Sequence, residues 1–242
     1  MTKTAIVTGS SRGIGAEVAQ RLALDGFAVV VNYVGSKAVA EELTASINAS
    51  GGRAVCAQAD VSKEDEARLL FDLAEKEFGG VDVLVNNAGI MQLSLIAETD
   101  DATVTRHLDI NLRGTFNTLR EAARRMRDGG RIINLSTSVI GLRFPTYGIY
   151  AATKAAVESL TVTMANEMRG RRITVNAVAP GPTATELFLD GKPQEVVDRL
   201  SNAAPLERLG TPQDVANAVA FLAGPEGGWI NGQVIRSNGG IV

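Results

Sequence analysis

An α/β fold with a seven-stranded parallel sheet sandwiched between helices is what the sequence predicts, and two periodicities predict it. Short apolar, β-branched runs occur at residues 5–8, 28–32, 54–57, 83–86, 132–136, 174–178 and 233–235. Their hydrophobicity is continuous rather than alternating, so each strand should be covered on both faces, as in a parallel sheet. Between them lie segments with helical spacing at residues 14–25, 36–49, 63–78, 100–127 and 147–169. Strands alternating with helices give a Rossmann-like, doubly wound arrangement with helices on both faces. No Pro/Ser-rich linker interrupts the series, so residues 1–242 are expected to form one domain. The irregular stretch is 180–205, with a short helix expected at 194–202, and loops of this length are usually functional or disordered.

With 45% hydrophobic and 21% charged residues, the chain has apolar material for a sizeable core. A formal charge of -3 leaves no electrostatic footprint for nucleic acid or an anionic membrane. The longest basic cluster, Arg124, Arg125 and Arg127, precedes Asp128 and Gly129 and reads as a helix C-terminus whose cations suit the macrodipole. One cysteine, Cys56, excludes an internal disulfide framework, and the lone His107 leaves little for a metal site. A metal-independent, cytoplasmic protein is therefore expected. The first residues run directly into a strand, and no run of ~18 apolar residues occurs, so neither a signal peptide nor a membrane span is expected.

The first strand ends in Thr8-Gly9-Ser10-Ser11-Arg12-Gly13-Ile14-Gly15 and passes at once into a helix. Glycines let a backbone approach a pyrophosphate, and a helix N-terminus offers free N–H groups and partial positive charge. The spacing is Gly-x-x-x-Gly-x-Gly rather than the familiar Gly-x-Gly-x-x-Gly. Standing alone, such a turn reads equally as a tight strand-to-helix connection. The second strand ends Val31-Asn32-Tyr33-Val34-Gly35-Ser36-Lys37, with no Asp or Glu between Asp25 and Glu41. A carboxylate here would bond the ribose hydroxyls of NAD. Its absence, with Arg12, Asn32, Ser36 and Lys37 as donors, favours the 2′-phosphate of NADP(H), NAD(H) being possible. Arg12 and Lys37 could also be solvated surface charges.

Tyr150-Ala-Ala-Thr-Lys154 sets a phenol and an ammonium on one face at the start of a long helix. A phenol working as acid or base near neutrality needs its pKa lowered by about 3 units, or roughly 4 kcal/mol. A unit positive charge ~4 Å away at an effective dielectric of ~20 supplies that much, so the lysine is expected to depress the tyrosine.

These landmarks, in this order along essentially the whole chain, resemble the short-chain dehydrogenase/reductase family in its single-domain branch, and are similar to 3-oxoacyl-[acyl-carrier-protein] reductases. The resemblance implies that Gly9, Ser11, Arg12, Gly13, Ile14 and Gly15 hold the pyrophosphate, with Tyr33 and Ser36 nearby. It implies an adenine contact at Asp60 and Val61, and a ribose contact along Asn87, Ala88 and Gly89. Asn86 either joins that contact or stabilises the sheet. Lys154 would also bond the nicotinamide ribose, and Pro180, Gly181, Thr183 and Thr185 would sit at the nicotinamide carboxamide. Ser138, three residues before Gly141, is carried over as the serine that donates to the substrate oxygen. Its interval to Tyr150 is one residue shorter than in many members, which keeps Ser136 and Thr137 as alternatives. Asn111 would extend a proton relay from the lysine, or be an ordinary helical asparagine.

The activity so implied is hydride transfer between NADP(H) and a carbonyl/alcohol pair: Tyr150 protonates the oxygen, Ser138 orients it, and Lys154 with Asn111 restores the proton. Ketone, aldehyde and 3-oxoacyl substrates are all compatible with it, although no basic cluster suggests docking of an acidic carrier. A non-catalytic nucleotide-binding or sensor protein is the rival on the same fold. A nucleotide-sugar epimerase would usually need a larger C-terminal domain. Residues 93–96, 142–147 and 187–206 are expected to line a mostly apolar pocket, with Tyr147 either lining it or packing. The resemblance also implies a homotetramer, with the last strand between subunits.

Overall fold

The computed structural model describes residues 2–242. Its seven strands are β1 (Thr4–Val7), β2 (Ala28–Tyr33), β3 (Arg53–Gln58), β4 (Val83–Asn86), β5 (Arg131–Leu135), β6 (Thr174–Pro180) and β7 (Val234–Ser237). They form one parallel sheet in the order β3-β2-β1-β4-β5-β6-β7. The order reverses between β1 and β4, and the carboxyl ends of strands beside such a switch point diverge into a crevice.

Three helices cover each face. On one side α1 (Gly13–Leu24), α2 (Lys37–Ala49) and α10 (Pro212–Ala223) bury Val18, Leu22, Ile47 and Val219 against Val7, Val29 and Val31. On the other, α3 (Glu64–Phe78), α5 (Gly114–Arg125) and α7 (Gly148–Glu167) bury Leu70, Phe71, Leu119 and Met164 against Ile6, Val30 and Leu84. Consecutive strand residues thus enter opposite cores, which is why the runs read as continuously apolar. Each large side chain so buried contributes about 1.5–3 kcal/mol. The capping box of Thr211 and Asp214, with Pro212 at the first turn, fixes where α10 begins.

The stretch 100–127 departs from the expected continuous helix. It divides into α4 (Asp101–His107), a π-helical segment (Leu108–Arg113) and α5. The Asn111 side chain lies at the centre of that segment and grips both backbone groups of Ile90: Oδ1 accepts from its N–H at 2.8 Å and Nδ2 donates to its carbonyl at 3.0 Å. Anchoring a side chain outside the helix in this way favours a local widening of the helical ladder. Two further short helices went unanticipated, α6 (Val139–Leu142) and α8 (Glu186–Leu189), while α9 (Gln194–Ala203) falls where a helix was expected.

Candidate active site

A cleft opens over the carboxyl ends of β1, β2 and β4, and its floor is the glycine turn. Gly9 and Gly13 both adopt φ of 59°, a region that favours glycine. A Cβ on Gly9 would lie 2.8 Å from Ala88 Cα, and one on Gly15 would lie 2.6 Å from the Gly9 carbonyl oxygen. The Thr8 hydroxyl accepts from the Asn87 and Ala88 N–H groups, each at 3.0 Å, and Asn87 Nδ2 donates to the Thr8 and Gly9 carbonyls, each at 2.9 Å. These bonds lock the turn to β4. No side chain caps α1, so its first-turn N–H groups face the cleft, the arrangement that suits a phosphate.

Ser11, Arg12 and Ile14 line this cleft with the three glycines, and Tyr33 and Ser36 line it from the end of β2. Asp60, Val61, Asn87, Ala88 and Gly89 complete its far wall. Arg12 stands at the mouth, paired at 2.9 Å with Glu186 of α8, both well exposed. Asn32 lines the cleft as well, and its buried side chain accepts from the Gly9 N–H at 2.9 Å and donates to the Ala59 carbonyl at 2.9 Å, so its amide orders the turn. Lys37 lies off the cleft wall and pairs with Glu41 at 3.6 Å, one turn along α2.

The cleft runs into a second cavity through shared walls at Ile14, Asn87, Gly89, Ile90, Thr185 and Leu187. Tyr150 and Lys154, one turn apart on α7, both face this cavity. Lys154 is 4% exposed and donates to the Leu135 carbonyl at 2.7 Å, with no carboxylate bonded to it among the described residues. Asn111 reaches the same place: a Cβ on Gly89 would lie 3.2 Å from Asn111 Oδ1 and 3.6 Å from Lys154 Nζ. Asn111 Nδ2 also donates to Thr153 Oγ1 at 3.2 Å, tying the π segment to α7.

Ser138 reaches the cavity wall, yet its hydroxyl donates to the Ala179 carbonyl at 3.0 Å and accepts from Asn238 Nδ2 at 3.0 Å. Pro180, Gly181, Thr183 and Thr185 line the cavity at the end of β6. The Thr183 hydroxyl donates to the Gly181 carbonyl at 2.9 Å, and Thr185 caps α8 by accepting from the Phe188 N–H at 3.2 Å. Asn86 belongs to the sheet: it donates to Asn134 Oδ1 at 2.9 Å, accepts from the Thr118 hydroxyl at 2.6 Å, and Asn134 passes the chain on to Thr161 at 2.9 Å. This buried network is fully bonded and joins α5 to α7 beneath the site.

Electrostatics overturn one expectation. Burial pushes the Tyr150 phenol up to about 12, a hydrogen bond from Thr137 opposing and Tyr147 adding to the rise. Burial also pushes the Lys154 ammonium down to about 8. The lysine does not depress the tyrosine, because its ammonium is held at the Leu135 carbonyl and loss of solvation dominates both groups.

The outer wall is apolar. Ile90 and Met91 contribute after β4, Phe144 and Tyr147 before α7, and Phe188 and Leu200 from α8 and α9. Tyr147 lines the cavity and also packs, its ring 6.4 Å from that of Tyr150 in an edge arrangement. Residues 93–96 do not join this wall; Leu93 lines an adjoining groove and Ile96 is 83% exposed. His107 explains the shift, since Nε2 accepts from the Gln92 N–H at 3.2 Å while Nδ1 faces the Thr103 carbonyl at 2.8 Å. That clamp fixes the loop two residues earlier than the apolar run suggests. Glu186 was missed altogether, since a lone exposed carboxylate opening a four-residue helix carries no periodic signal.

Comparison with known proteins bears on this arrangement. A family profile described as Enoyl-(Acyl carrier protein) reductase matches residues 9–242. The "Short-chain type dehydrogenase/reductase" of Picea abies is 45% identical over 250 residues, covering 99% of this chain and 92% of its own. The "NADPH-dependent aldehyde reductase-like protein, chloroplastic" of Arabidopsis thaliana is 43% identical over 254 residues, covering 99% of this chain and 94% of its own. Among solved structures, a short chain dehydrogenase from Burkholderia cenocepacia J2315 in complex with NADP superimposes with a TM-score of 0.93 at 37% identity, covering 99% of this chain and 97% of its own.

Proposed function

The chain belongs to the short-chain dehydrogenase/reductase family, and on that premise we propose that it interconverts a small carbonyl compound and its alcohol with NADP(H). The observation that carries the reading is the continuity of the glycine-turn cleft with the cavity holding Tyr150 and Lys154. The cleft fits the dinucleotide: Gly9 and Gly15 leave no room for a Cβ, and the uncapped start of α1 offers N–H groups to a pyrophosphate. Bound NADPH supplies the hydride.

The chain's own residues supply the rest. Tyr150 keeps its proton through the neutral range and donates it at the substrate oxygen. Lys154, with one carbonyl partner and two ammonium protons to spare, holds the cofactor ribose and returns a proton to the phenol. Asn111 positions Ile90 and the helix carrying Lys154. Thr183 and Thr185, which line the same cavity, would hold the nicotinamide end. The apolar wall selects an apolar aldehyde or ketone, since no cation other than Lys154 lines it to meet an acidic substrate. A panel of aldehydes, ketones and 3-oxoacyl and 2-enoyl thioesters, followed by loss of NADPH absorbance, tests this reading. Turnover of apolar carbonyls is expected; turnover confined to the enoyl thioester, or none at all, would contradict it.

NADP(H) is the proposed partner because the end of β2 lacks a carboxylate while Arg12 and Ser36 line the cleft mouth. Arg12→Ala is expected to raise the KM for NADPH about tenfold and leave that for NADH within about twofold, the lower end for a charge-assisted bond at an exposed site. Equal loss with both cofactors would count against a 2′-phosphate contact. A homotetramer is proposed on two separate apolar surfaces: Leu108 and Phe116 beside α7, and Phe221 with the 98% exposed Trp229 beside the unpaired edge of β7. Two distinct self-complementary faces generate dihedral assemblies. Light scattering should report four chains, and a monomer would refute this. A cytoplasmic location is proposed with it, on the one free cysteine.

A further inference from the structure

We infer that Thr137, and not Ser138, is the hydroxyl that donates to the substrate oxygen beside Tyr150; the inference rests on reading this cavity as a carbonyl-reducing site. Three consecutive hydroxyls leave the end of β5, and each has a single proton to give. Ser136 gives its own to Glu158 Oε1 at 2.6 Å. Ser138 gives its own to the Ala179 carbonyl and is also held by Asn238. Ser138 therefore fastens the start of α6 to β6 and to the segment after β7. Ser138 is 2% exposed, so its proton would have to leave a buried acceptor to reach a substrate.

Thr137 is the one left free. Its oxygen accepts from the Val139 N–H at 3.2 Å, and among the described residues its proton has no backbone acceptor. It lines the same cavity as the Tyr150 phenol. A carbonyl oxygen seated between these two hydroxyls would receive one donor on each of its two lone pairs. The β-branched side chain has few rotamers, and the bond from Val139 holds the hydroxyl in place before substrate arrives.

Thr137→Val, Thr137→Ser and Ser138→Ala are to be compared with the wild type in steady-state kinetics, NADPH binding and thermal unfolding. Thr137→Val is expected to lower kcat by ~10²–10³-fold, the usual loss for one donor to a developing oxyanion, with NADPH affinity within about twofold. Thr137→Ser should recover turnover to within about tenfold of wild type, which a purely packing role for the methyl group would not produce. Ser138→Ala should cost less than about tenfold in kcat and register in Tm, where the loss of a buried bond is felt. A deeper kinetic loss in Ser138→Ala than in Thr137→Val overturns the inference, as does a Thr137→Val enzyme within tenfold of wild type. Should the wild type reduce no carbonyl at all, the proposed function falls, and a crystal structure then decides the placement. Thr137 Oγ within ~3 Å of Tyr150 Oη supports it, and Ser138 Oγ in that position refutes it.

Discussion

Tyr150→Phe is expected to lower turnover by at least ~100-fold while leaving NADPH affinity within about twofold of wild type. The phenol keeps its proton throughout the neutral range, since burial lifts it to about 12, and it stands one turn from Lys154 on α7. Removing the hydroxyl deletes that donor and leaves the ring, its packing against Tyr147 and the glycine turn as they are. The pH profile carries a second signature. Lys154, lowered by burial to about 8, holds its proton below that pH and loses it above. Reduction consumes a proton that the lysine returns to the phenol, so wild-type kcat for reduction should be level below about pH 8 and fall above it. A rise through pH 8 would mean that the neutral amine is the working form, contrary to the proposed relay. A Tyr150→Phe enzyme within tenfold of wild type would remove the phenol from the chemistry.

Gly15→Ala should be nearly as damaging by a different route. The new Cβ would overlap the Asn87 amide and sit 2.6 Å from the Gly9 carbonyl oxygen and 2.8 Å from Ser10 Cα. Two of those three obstacles are backbone, so the start of α1 must move away from the turn. Overpacking of this kind costs about 1–3 kcal/mol, read as a Tm lowered by several degrees. Shifting the helix start also withdraws the N–H groups from the pyrophosphate. Each hydrogen bond to a charged group is worth about 1.5–3 kcal/mol, so losing even one weakens NADPH binding tenfold or more. Titration calorimetry with NADPH checks this. An alanine variant that binds as wild type does would show that the turn has more slack than its contacts allow.

Much of this was legible in the residues, and what was not has physical reasons. Strand positions were readable because both faces of every central strand are buried, leaving runs such as Val29-Val30-Val31 without a polar break. The turn was readable because Gly9 and Gly15 meet backbone too close for a Cβ, and Gly9 and Gly13 adopt a positive φ. The break in the helix across 100–127 was hidden, because it depends on Asn111 meeting Ile90, a partner distant in sequence. The same limit hid the bonds by which the Asn32 amide orders the glycine turn, since they need the fold to bring Gly9 and Ala59 to it. It also misjudged Tyr150, since spacing along a helix brings Lys154 near without revealing that the Leu135 carbonyl holds the ammonium. Among Ser136, Thr137 and Ser138, the sequence favoured Ser138 on its spacing to Gly141; the bonds to Glu158, Ala179 and Asn238, all distant in sequence, are what distinguish the three hydroxyls.

The central claim is that one cavity brings the cofactor's hydride and the Tyr150 proton to the same carbonyl group. Its most direct test is to incubate the wild-type protein with NADPH carrying deuterium at both C4 positions and an apolar aldehyde, then to analyse the alcohol by mass spectrometry. The account predicts one deuterium on the carbinol carbon and none on oxygen after exchange into ordinary water. Alcohol without carbon-bound deuterium, or no alcohol formed, would contradict it.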